Sequence, residues 1–366
     1  MGSRGVDPAR LARVRAATQL LHRPAAAKDP AEIARAIGGA QAQDVYAGPL
    51  QFRSRSRSLT AADIQRARTE ERSLLRIWVM RMTIHLIPTE DAAWWLPLFE
   101  PEIAGWQRRR LGQLGMAARD VDKALAVIAR ALADEGPMTR AEARKRVEKA
   151  GMKLTTQTGM HIAGLAVTSG VACLGPDRGR QTCLVRREDW IGKLPKVDRD
   201  TGLAELARVY VRAFAPTTDR DFAYWSGLGL REVRFGLEGI ASEIEEVRVG
   251  EETMLAPRGG LARLPRGGQV RMLGNFDTYL LGWKDRTFSV AGEHAIHVKE
   301  GGGGWIRPVI VEDGIVVGGW RSSRKGRLEV SLNLPKAERK RLGAAIEAEI
   351  ADIARFEGVE ATIAQN

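Results

Sequence analysis

The sequence predicts a mixed α+β protein, in which helical modules extend to about residue 254 and β-strands follow. Three observations predict this fold class: three helix starts of one type, a hairpin with a basic tip, and a series of short apolar runs broken by glycine beyond residue 255. At 366 residues the chain is long enough for two or three domains, because a single core seldom grows beyond about 250–300 residues.

The three helix starts share one local pattern. A threonine is followed three residues later by an acidic residue, the spacing with which a capping box begins a helix. The pairs are Thr60 with Asp63, Thr139 with Glu142, and Thr218 with Asp221. Both intervals between the threonines have the same length, which suggests a repeated module of that size. Chance or shared local chemistry is the alternative.

The third of these segments has the pattern of a helix-turn-helix. A first helix leads into a short turn at Ser226 and Gly227, and a second helix follows. Six apolar positions can pack a small three-helix core: Phe222, Trp225, Leu228, Leu230, Val233 and Leu237.

The second segment continues into a predicted hairpin. The runs VACLG and TCLVR are joined by PDRGRQ, so two strands would meet at a tip that carries Arg178 and Arg180. A basic hairpin after helices is typical of a wing. A plain surface hairpin with solvated arginines is the alternative.

Beyond residue 255 the sequence predicts a β-rich, barrel-like domain. Its glycine-broken runs include Gly301 to Gly304, and an amphipathic helix from Lys336 to Phe356 closes the chain. The predicted strands are QVRMLG, TYLLGW, TFSVAG, IRPVIVED, GIVVGGW and RLEVSLNL. We therefore expect four segments: residues 1–125, 126–200, 201–254 and 255–366.

The charge balance favours a nucleic-acid partner. The chain has 57 Lys and Arg against 45 Asp and Glu, a net charge of +12, and most of the excess is arginine, which suits phosphate contacts. An arginine-rich genome would give the same balance.

Other classes of protein are disfavoured by the sequence. No apolar run approaches the roughly 18 to 20 residues of a membrane-spanning helix, and the N-terminus lacks the apolar core of a secretory signal. Cys173 and Cys183 are too few for a disulfide framework and have no zinc-like spacing with the histidines. We expect a cytoplasmic monomer with free thiols, no metal, no cofactor and no membrane partner.

The run IGGAQAQDVYAGPL contains the candidate catalytic pair, Gln41 and Gln43. Two residues apart on an extended backbone, their amides would project from the same face and could point at one ligand. Such pairs are also common as solvated surface features.

Five runs together resemble the winged-helix DNA-binding-domain family that contains the AlkZ-type DNA glycosylases. Their order, from about residue 10 to residue 330, carries the resemblance: GGAQAQDVYAGPL, WVMRMTIHLIPTED, LGPDRGRQT, TTDRDFAYWSGL and GNFDTYLLGWKDR. The resemblance implies three tandem winged-helix modules in a C-shaped molecule, a β-rich C-terminal part and a catalytic Gln-x-Gln motif at Gln41 and Gln43. Related proteins carry an aspartate at the second position. The glutamine here resembles the branch whose members include enzymes that unhook interstrand crosslinks.

The implied chemistry is physically reasonable. A purine alkylated at N7 is cationic, so its glycosidic bond is already weak and needs little general acid. A glutamine carbonyl can orient a water beneath C1′, although it cannot act as a strong base. We predict a monofunctional glycosylase acting on duplex DNA with alkylated purines and inactive on uracil. Asp44 should face away from the pair and serve the structure.

Further side chains are candidates for contacts with DNA. Those predicted to bind phosphate are Arg53, Arg55, Arg57, Arg178 and Arg180. Even spacing places Arg81, Thr83 and His85 on one face of a strand near DNA, with core packing as the alternative for His85.

A third candidate set lies in the C-terminal domain. Asp277, Lys284 and Arg286 fit either an ion-pair set between domains or contacts with the DNA backbone. His161 and Trp95 are expected to pack in the core. His294 and His297 have no partners in metal spacing.

The main alternative to an enzyme is a winged-helix regulator or architectural protein, which tandem modules and a net positive charge would serve equally well. A β-barrel protein that binds a small ligand is a third reading, which rests on the glycine-rich strands alone. A regulator would need no glutamine pair.

Overall fold

The computed structural model describes residues 5–7, 10–179, 181–261, 264, 266–298, 305–324 and 327–364. The chain divides into two compact units. The first comprises Met1–Gln65 together with Leu203–Asn366, and the second is Arg66–Gly202. The four segments expected from the sequence stay predictions.

The helices are α1 (Leu11–Thr18), α2 (Pro30–Ala36), α3 (Ala47–Arg53), α4 (Ala61–Thr69), α5 (Ala92–Gln113), α6 (Ala118–Glu135), α7 (Arg140–Lys149), α8 (Thr156–Thr168), α9 (Arg187–Ile191), α10 (Arg199–Phe214), α11 (Asp219–Ser226), α12 (Leu230–Gly239), α13 (Ala295–Val298) and α14 (Lys336–Glu357). Within the described ranges, none of these helices has the combined length and apolar character needed to cross a bilayer.

The strands are β1 (Gly5–Val6), β2 (Ala40–Gln41), β3 (Leu74–Trp78), β4 (Ile84–Pro88), β5 (Met138–Thr139), β6 (Ala172–Arg178), β7 (Gln181–Arg186), β8 (Ile244–Val249), β9 (Glu252–Pro257), β10 (Val270–Leu273), β11 (Val309–Glu312), β12 (Ile315–Arg324), β13 (Leu328–Asn333) and β14 (Ala361–Ile363).

The second unit packs α6, α7 and α8 against one another beside an antiparallel sheet in the order β4-β3-β6-β7-β5. The predicted helix start is confirmed, because the Thr139 hydroxyl accepts from the Glu142 amide and the Glu142 carboxylate accepts from the Thr139 amide at 2.7 Å. The predicted hairpin is also confirmed as β6 and β7, which turn at Gly179 with φ +63°. Arg180, the second predicted arginine of its tip, lies outside the described residues.

In the first unit, α10, α11 and α12 form the predicted helix-turn-helix core. Phe222, Trp225 and Val233 are fully buried, and Gly227 ends α11 in the left-handed conformation, where φ is +77°. Gly236 lets α12 lie directly on α10, since a Cβ there would come within 2.6 Å of a backbone oxygen. The antiparallel pair β8 and β9 follows.

The C-terminal sheet has the order β10-β11-β12-β13-β14, antiparallel except for the parallel pair β13 and β14. Among the described strands, β10 and β14 are its two edges, so the sheet is open. The predicted β-rich C-terminal part is confirmed, without closure into a barrel. The predicted terminal helix is confirmed as α14, which packs on β10.

Two of the predicted strands, TYLLGW and TFSVAG, are turns. TYLLGW begins with a 3₁₀ turn at Thr278–Leu280. Its aromatic residues are buried and bonded to distant backbone: the Tyr279 hydroxyl donates to the Gly314 oxygen at 2.7 Å, and the Trp283 indole donates to the Phe214 oxygen at 3.0 Å. Apolar residues that are buried for this reason give the sequence an apolar run similar to that of a β-strand.

Candidate active site

The Gln-x-Gln segment links β2 to α3. β2 ends at Gln41, and Gln43 lies in the bend that follows. Gln41 is only 5% exposed, whereas Gln43 is exposed. The single extended strand predicted to carry both amides is therefore wrong, and a bend sets their directions.

The backbone of this segment is held in place by Gln51, a fully buried residue of α3. Its amide nitrogen donates to the Gln41 backbone oxygen at 2.6 Å, and its amide oxygen accepts from the Thr278 amide at 3.1 Å. In the described part of the chain, the side-chain amide of Gln41 makes no hydrogen bond. The hydrogen bond that fixes Gln41 is therefore made by its backbone, and its side-chain amide can still form hydrogen bonds with a ligand.

Asp44 holds the other end of the bend. One carboxylate oxygen accepts from the backbone amides of Tyr46 and Ala47, at 2.8 and 3.3 Å, and so supports the start of α3. The other accepts from the Asn275 side chain at 3.0 Å. The predicted structural role of Asp44 agrees with these contacts. Sequence reasoning missed Gln51 and Asn275, since no local pattern marks their partners.

Two exposed apolar side chains follow Gln43. Val45 is 41% exposed and Tyr46 is 49% exposed. The Arg324 guanidinium lies 4.8 Å from the centre of the Tyr46 ring, a cation–π distance. The glutamine bend therefore borders a surface with an exposed aromatic ring and with Arg324, whose guanidinium is also paired with Glu357.

Arg53 and Arg55 do not face solvent, so their predicted contacts with phosphate are wrong. Both are fully buried. Arg53 pairs with Glu349 of α14 at 2.7 Å. Arg55 forms two hydrogen bonds with the carboxylate of Asp277, at 2.8 and 2.9 Å. A buried guanidinium needs a carboxylate partner, and these two hold α3 against the C-terminal part of the same unit.

The buried pair with Arg55 also settles the alternatives for Asp277, which belongs to an ion-pair set. Arg57, the third arginine of the run, is exposed and bonds through Nε to the Arg23 backbone oxygen at 3.1 Å. Of the three arginines, Arg57 alone is placed to reach a phosphate.

Arg81 does not lie on the strand face predicted for it together with Thr83 and His85. Arg81 sits in a 3₁₀ turn with φ +52°, which turns the chain before β4 begins. The Thr83 hydroxyl donates to the Met80 oxygen at 2.9 Å within this turn. Both side chains are half-buried. The turn separates Arg81 from His85 of β4, whereas Thr83 has extended backbone, with φ −107° and ψ 155°, directly before that strand.

His85 packs in the core of the second unit, where it is 3% exposed. The alternative of core packing is confirmed, and its predicted contact with DNA is wrong. Burial, followed by the charge of Arg81, lowers the pKa of His85 to about 3. His85 is therefore neutral near neutral pH.

The remaining candidates lie at surfaces. Arg178 is more than half exposed and pairs with Glu142 at 2.8 Å. Lys284 is exposed, and Arg286 is half-buried with a hydrogen bond to the Tyr224 hydroxyl at 2.8 Å. As predicted, Trp95 is buried, and His161 packs with its Nδ1 2.7 Å from the amide oxygen of Gln107.

Comparison with known proteins identifies the family. The family model "DNA glycosylase AlkZ-like" matches residues 34–356. The chain belongs to the AlkZ-like DNA glycosylase family. The matched range contains both glutamines of the candidate site and the buried pair of Arg53 with Glu349. The predicted resemblance and the predicted enzyme class, a DNA glycosylase, are confirmed.

Two relatives from Streptomyces sahachiroi agree with the family assignment. The interstrand DNA cross-link repair glycosylase of that organism is 31% identical over 307 residues, which are 78% of this chain and 80% of that protein. The solved structure of the S. sahachiroi DNA glycosylase AlkZ is similar to this fold with a TM-score of 0.77 and 25% identity, and the alignment covers 98% of this chain and 100% of that one.

Proposed function

We propose that this AlkZ-like glycosylase excises cationic N7-alkylated purines from duplex DNA, with Gln41 and Gln43 orienting the attacking water. One observation carries the proposal. Within the range matched by the family, Gln51 and Asp44 fix the backbone of the glutamine bend, while the Gln41 side chain keeps its hydrogen-bonding capacity. An amide held in this way can bind a water in a fixed position.

The reaction is a hydrolysis at the sugar. The water oxygen forms a bond to C1′ as the bond from C1′ to N9 breaks. The electron pair of that bond stays on N9 and neutralises the cationic base, and the water proton passes to solvent. A glutamine oxygen that accepts a hydrogen bond from the water directs its lone pair towards C1′.

The charge state of the lesion replaces acid catalysis in this proposal. Of the site residues predicted from the sequence, His85 is the type that ordinarily titrates near neutrality, and its pKa is lowered to about 3. It therefore has no proton to give a leaving base. Undamaged purines and uracil, which lack the positive charge, should remain attached.

Two parts of the fold support a DNA partner. α6, α7 and α8 with the hairpin of β6 and β7, and α10, α11 and α12 with β8 and β9, each have three helices followed by a hairpin. We assign both as winged-helix modules, and place a third in the N-terminal region. Arg57, Arg178 and Lys284, with the half-buried Arg81, Thr83 and Arg286, are proposed to contact duplex DNA bound by one protein monomer.

Release of base from duplex DNA containing N7-methylguanine tests the proposal. The wild-type protein should release the methylated base and leave an abasic site. Gln41→Ala and Gln43→Ala should each reduce the rate by about 10²-fold or more, because misplacing a reacting water costs rates of this order. Gln113→Ala, which removes an exposed glutamine at the end of α5, is the matched control.

Binding of undamaged duplex separates catalysis from affinity. The two glutamine variants should bind it as tightly as wild type does. Wild-type activity in both variants would refute the proposed roles. Sequence-specific binding without base release would instead support a regulator.

The crosslink is a second proposed substrate. The S. sahachiroi relative is named as an interstrand DNA cross-link repair glycosylase, and a crosslink between the N7 atoms of two purines has the same cationic leaving group at each end. Incubation with such a duplex should yield separable strands on a denaturing gel. If the monoadduct is released and the crosslinked strands stay joined, the substrate is limited to monoadducts.

A further inference from the structure

A polar cavity of about 330 Å³ lies beside β12 and β13 of the C-terminal sheet. Gly319 pairs with Asn333, and Arg321 pairs with Ser331, so these four residues lie on one face of two neighbouring strands. His297 and Arg307 also line the cavity.

The lining of this cavity is positively charged. Arg321 is exposed and forms no ion pair within the described ranges. Arg307 donates a hydrogen bond from Nη1 to the Ile296 backbone oxygen at 3.3 Å. None of the described residues that line the cavity is acidic. Glu329, two positions before Ser331 on β13, accepts a hydrogen bond from Ser323 at 3.2 Å.

His297 leaves a hydrogen-bonding position unused at the same place. The residue is 8% exposed, and its buried Nδ1 has no hydrogen-bond partner among the described residues. A buried polar atom without a partner is costly unless a ligand supplies one. Gly319 forms the cavity wall beside this imidazole, since a Cβ added there would meet Nδ1 at 3.5 Å and the Pro308 oxygen at 3.6 Å. A side chain at residue 319 would therefore project into the cavity next to His297.

We propose that this cavity binds a phosphate of the DNA backbone. Arg321 and Arg307 would supply the charge, and His297, Ser331 and Asn333 the neutral hydrogen bonds, a donor set that suits phosphate oxygens. The inference rests on the proposed function only in taking DNA as the source of the phosphate. It assigns the C-terminal sheet a part in binding the duplex.

Salt dependence of binding to undamaged duplex tests the site without requiring base release. Each phosphate contact adds about 0.9 to the slope of log affinity against log salt concentration. Arg321→Gln should lower that slope by about 0.9 and weaken binding at low salt. Arg339→Gln, which removes an exposed arginine of α14, makes the same change in net charge and should leave the slope as in wild type.

Gly319→Ala adds a methyl group to the cavity wall beside His297 without changing the charge. Its methyl group would meet neighbours at ordinary contact distances of 3.5 Å or more, so the fold should persist, and a thermal melt checks this. The slope should fall as in Arg321→Gln. Equal effects of Arg321→Gln and Arg339→Gln, or a wild-type slope in folded Gly319→Ala, would overturn the proposal.

Inorganic phosphate distinguishes the source of the ligand. In the wild type, rising inorganic phosphate should shift the NMR signals of His297 and compete with duplex DNA. If it shifts those signals while the slope of DNA binding is unaffected by Gly319→Ala, the cavity takes free phosphate and the assignment to DNA fails. Failure of Gln41→Ala to lower base release would leave these binding results unchanged, so the two proposals fail separately.

Discussion

Single residues in this protein show why an arginine-rich run cannot be assigned to DNA by its sequence alone. Arg53, Arg55 and Arg57 alternate with serines in a run that resembles a solvated basic patch, yet the first two are completely buried. Their carboxylate partners are more than 200 residues away along the chain, as in the pair of Arg55 with Asp277. The charge of these arginines stabilises the fold and leaves the surface with fewer cations than the sequence suggested.

His85 makes a testable contribution to stability at the same scale. Burial lowers its pKa in the folded state from the ordinary value of 6.5 to about 3. Below pH 6.5 the unfolded chain binds a proton that the folded chain does not, so stability falls as the pH falls from 6.5 towards 3. The loss should be about 2 kcal/mol at pH 5.

Urea unfolding at pH 7.5 and pH 5 measures this loss. His85→Gln should be less stable than wild type at pH 7.5, but its free energy of unfolding should fall less between the two pH values. A residual decrease is expected, because burial also lowers the pKa of His22, His161 and His297. An unchanged difference between the two pH values would show that His85 titrates normally in the folded state.

At the scale of elements, α3 positions the glutamine bend through Gln51. This side chain joins the Gln41 carbonyl to the backbone of Thr278. Gln51→Met keeps a similar length but leaves two buried backbone groups without partners, which should cost about 2 kcal/mol or more. The bend would then be free to shift, and a displacement of about 1 Å can reduce a rate by 10²-fold.

Kinetics on N7-methylguanine duplex separate positioning from stability. In Gln51→Met, we expect kcat to fall and the affinity for undamaged duplex to stay unchanged at a temperature where the variant is folded. Thr139→Ala is the matched control, because loss of that helix cap costs about 1 kcal/mol at a position far along the chain from the bend. If both variants lose activity in proportion to their stability, Gln51 has no positioning role.

The elements that were predicted best from the sequence are those whose contacts lie between residues close together in the chain. The caps at Thr60, Thr139 and Thr218 each bond to the acidic residue three positions later, and such contacts need only a local stretch of chain. The hairpin of β6 and β7 is local in the same sense. The segment containing Tyr279 and Trp283 was wrongly predicted as strands. Its apolar residues are anchored by partners from distant elements, and hydrophobic periodicity does not reveal such partners.

The candidate site, like the secondary-structure elements, was predicted from the sequence only where a local run of residues marks it. Gln41 and Gln43 were predicted because they lie in a distinctive run, which the family match includes, and their catalytic role stays a prediction. Their shared strand was wrong, since the chain bends directly after β2. The supporting residues Gln51, Asn275 and Glu349 have ordinary local sequence. Their importance comes from partners brought close only by the folded chain.

At the scale of the whole molecule, the first 65 residues and the last 164 form one unit, and Glu349 of α14 joins them. It accepts a hydrogen bond from the Met272 amide at 2.9 Å and contacts Arg53 and Arg23 at 2.7 and 2.9 Å. Burial by itself would raise the pKa of Glu349, but the charges of Arg53, Arg23 and Arg271 outweigh it and lower the pKa. Its contribution to stability is therefore present above the pKa of an unfolded glutamate and is lost in acid.

Glu349→Gln should destabilise this unit strongly. It leaves the buried guanidinium of Arg53 without its closest carboxylate, and breaking a buried pair in this way costs about 3–5 kcal/mol. Glu347→Gln removes an exposed carboxylate from the same helix and should change stability by about 0.5 kcal/mol or less. Limited proteolysis of Glu349→Gln at neutral pH measures the loss of this contact. Cleavage within residues 11–65 and within residues 270–333 should begin at the same time, because one buried carboxylate holds both segments. Cleavage confined to α14 would mean that the start and the end of the chain hold together without it.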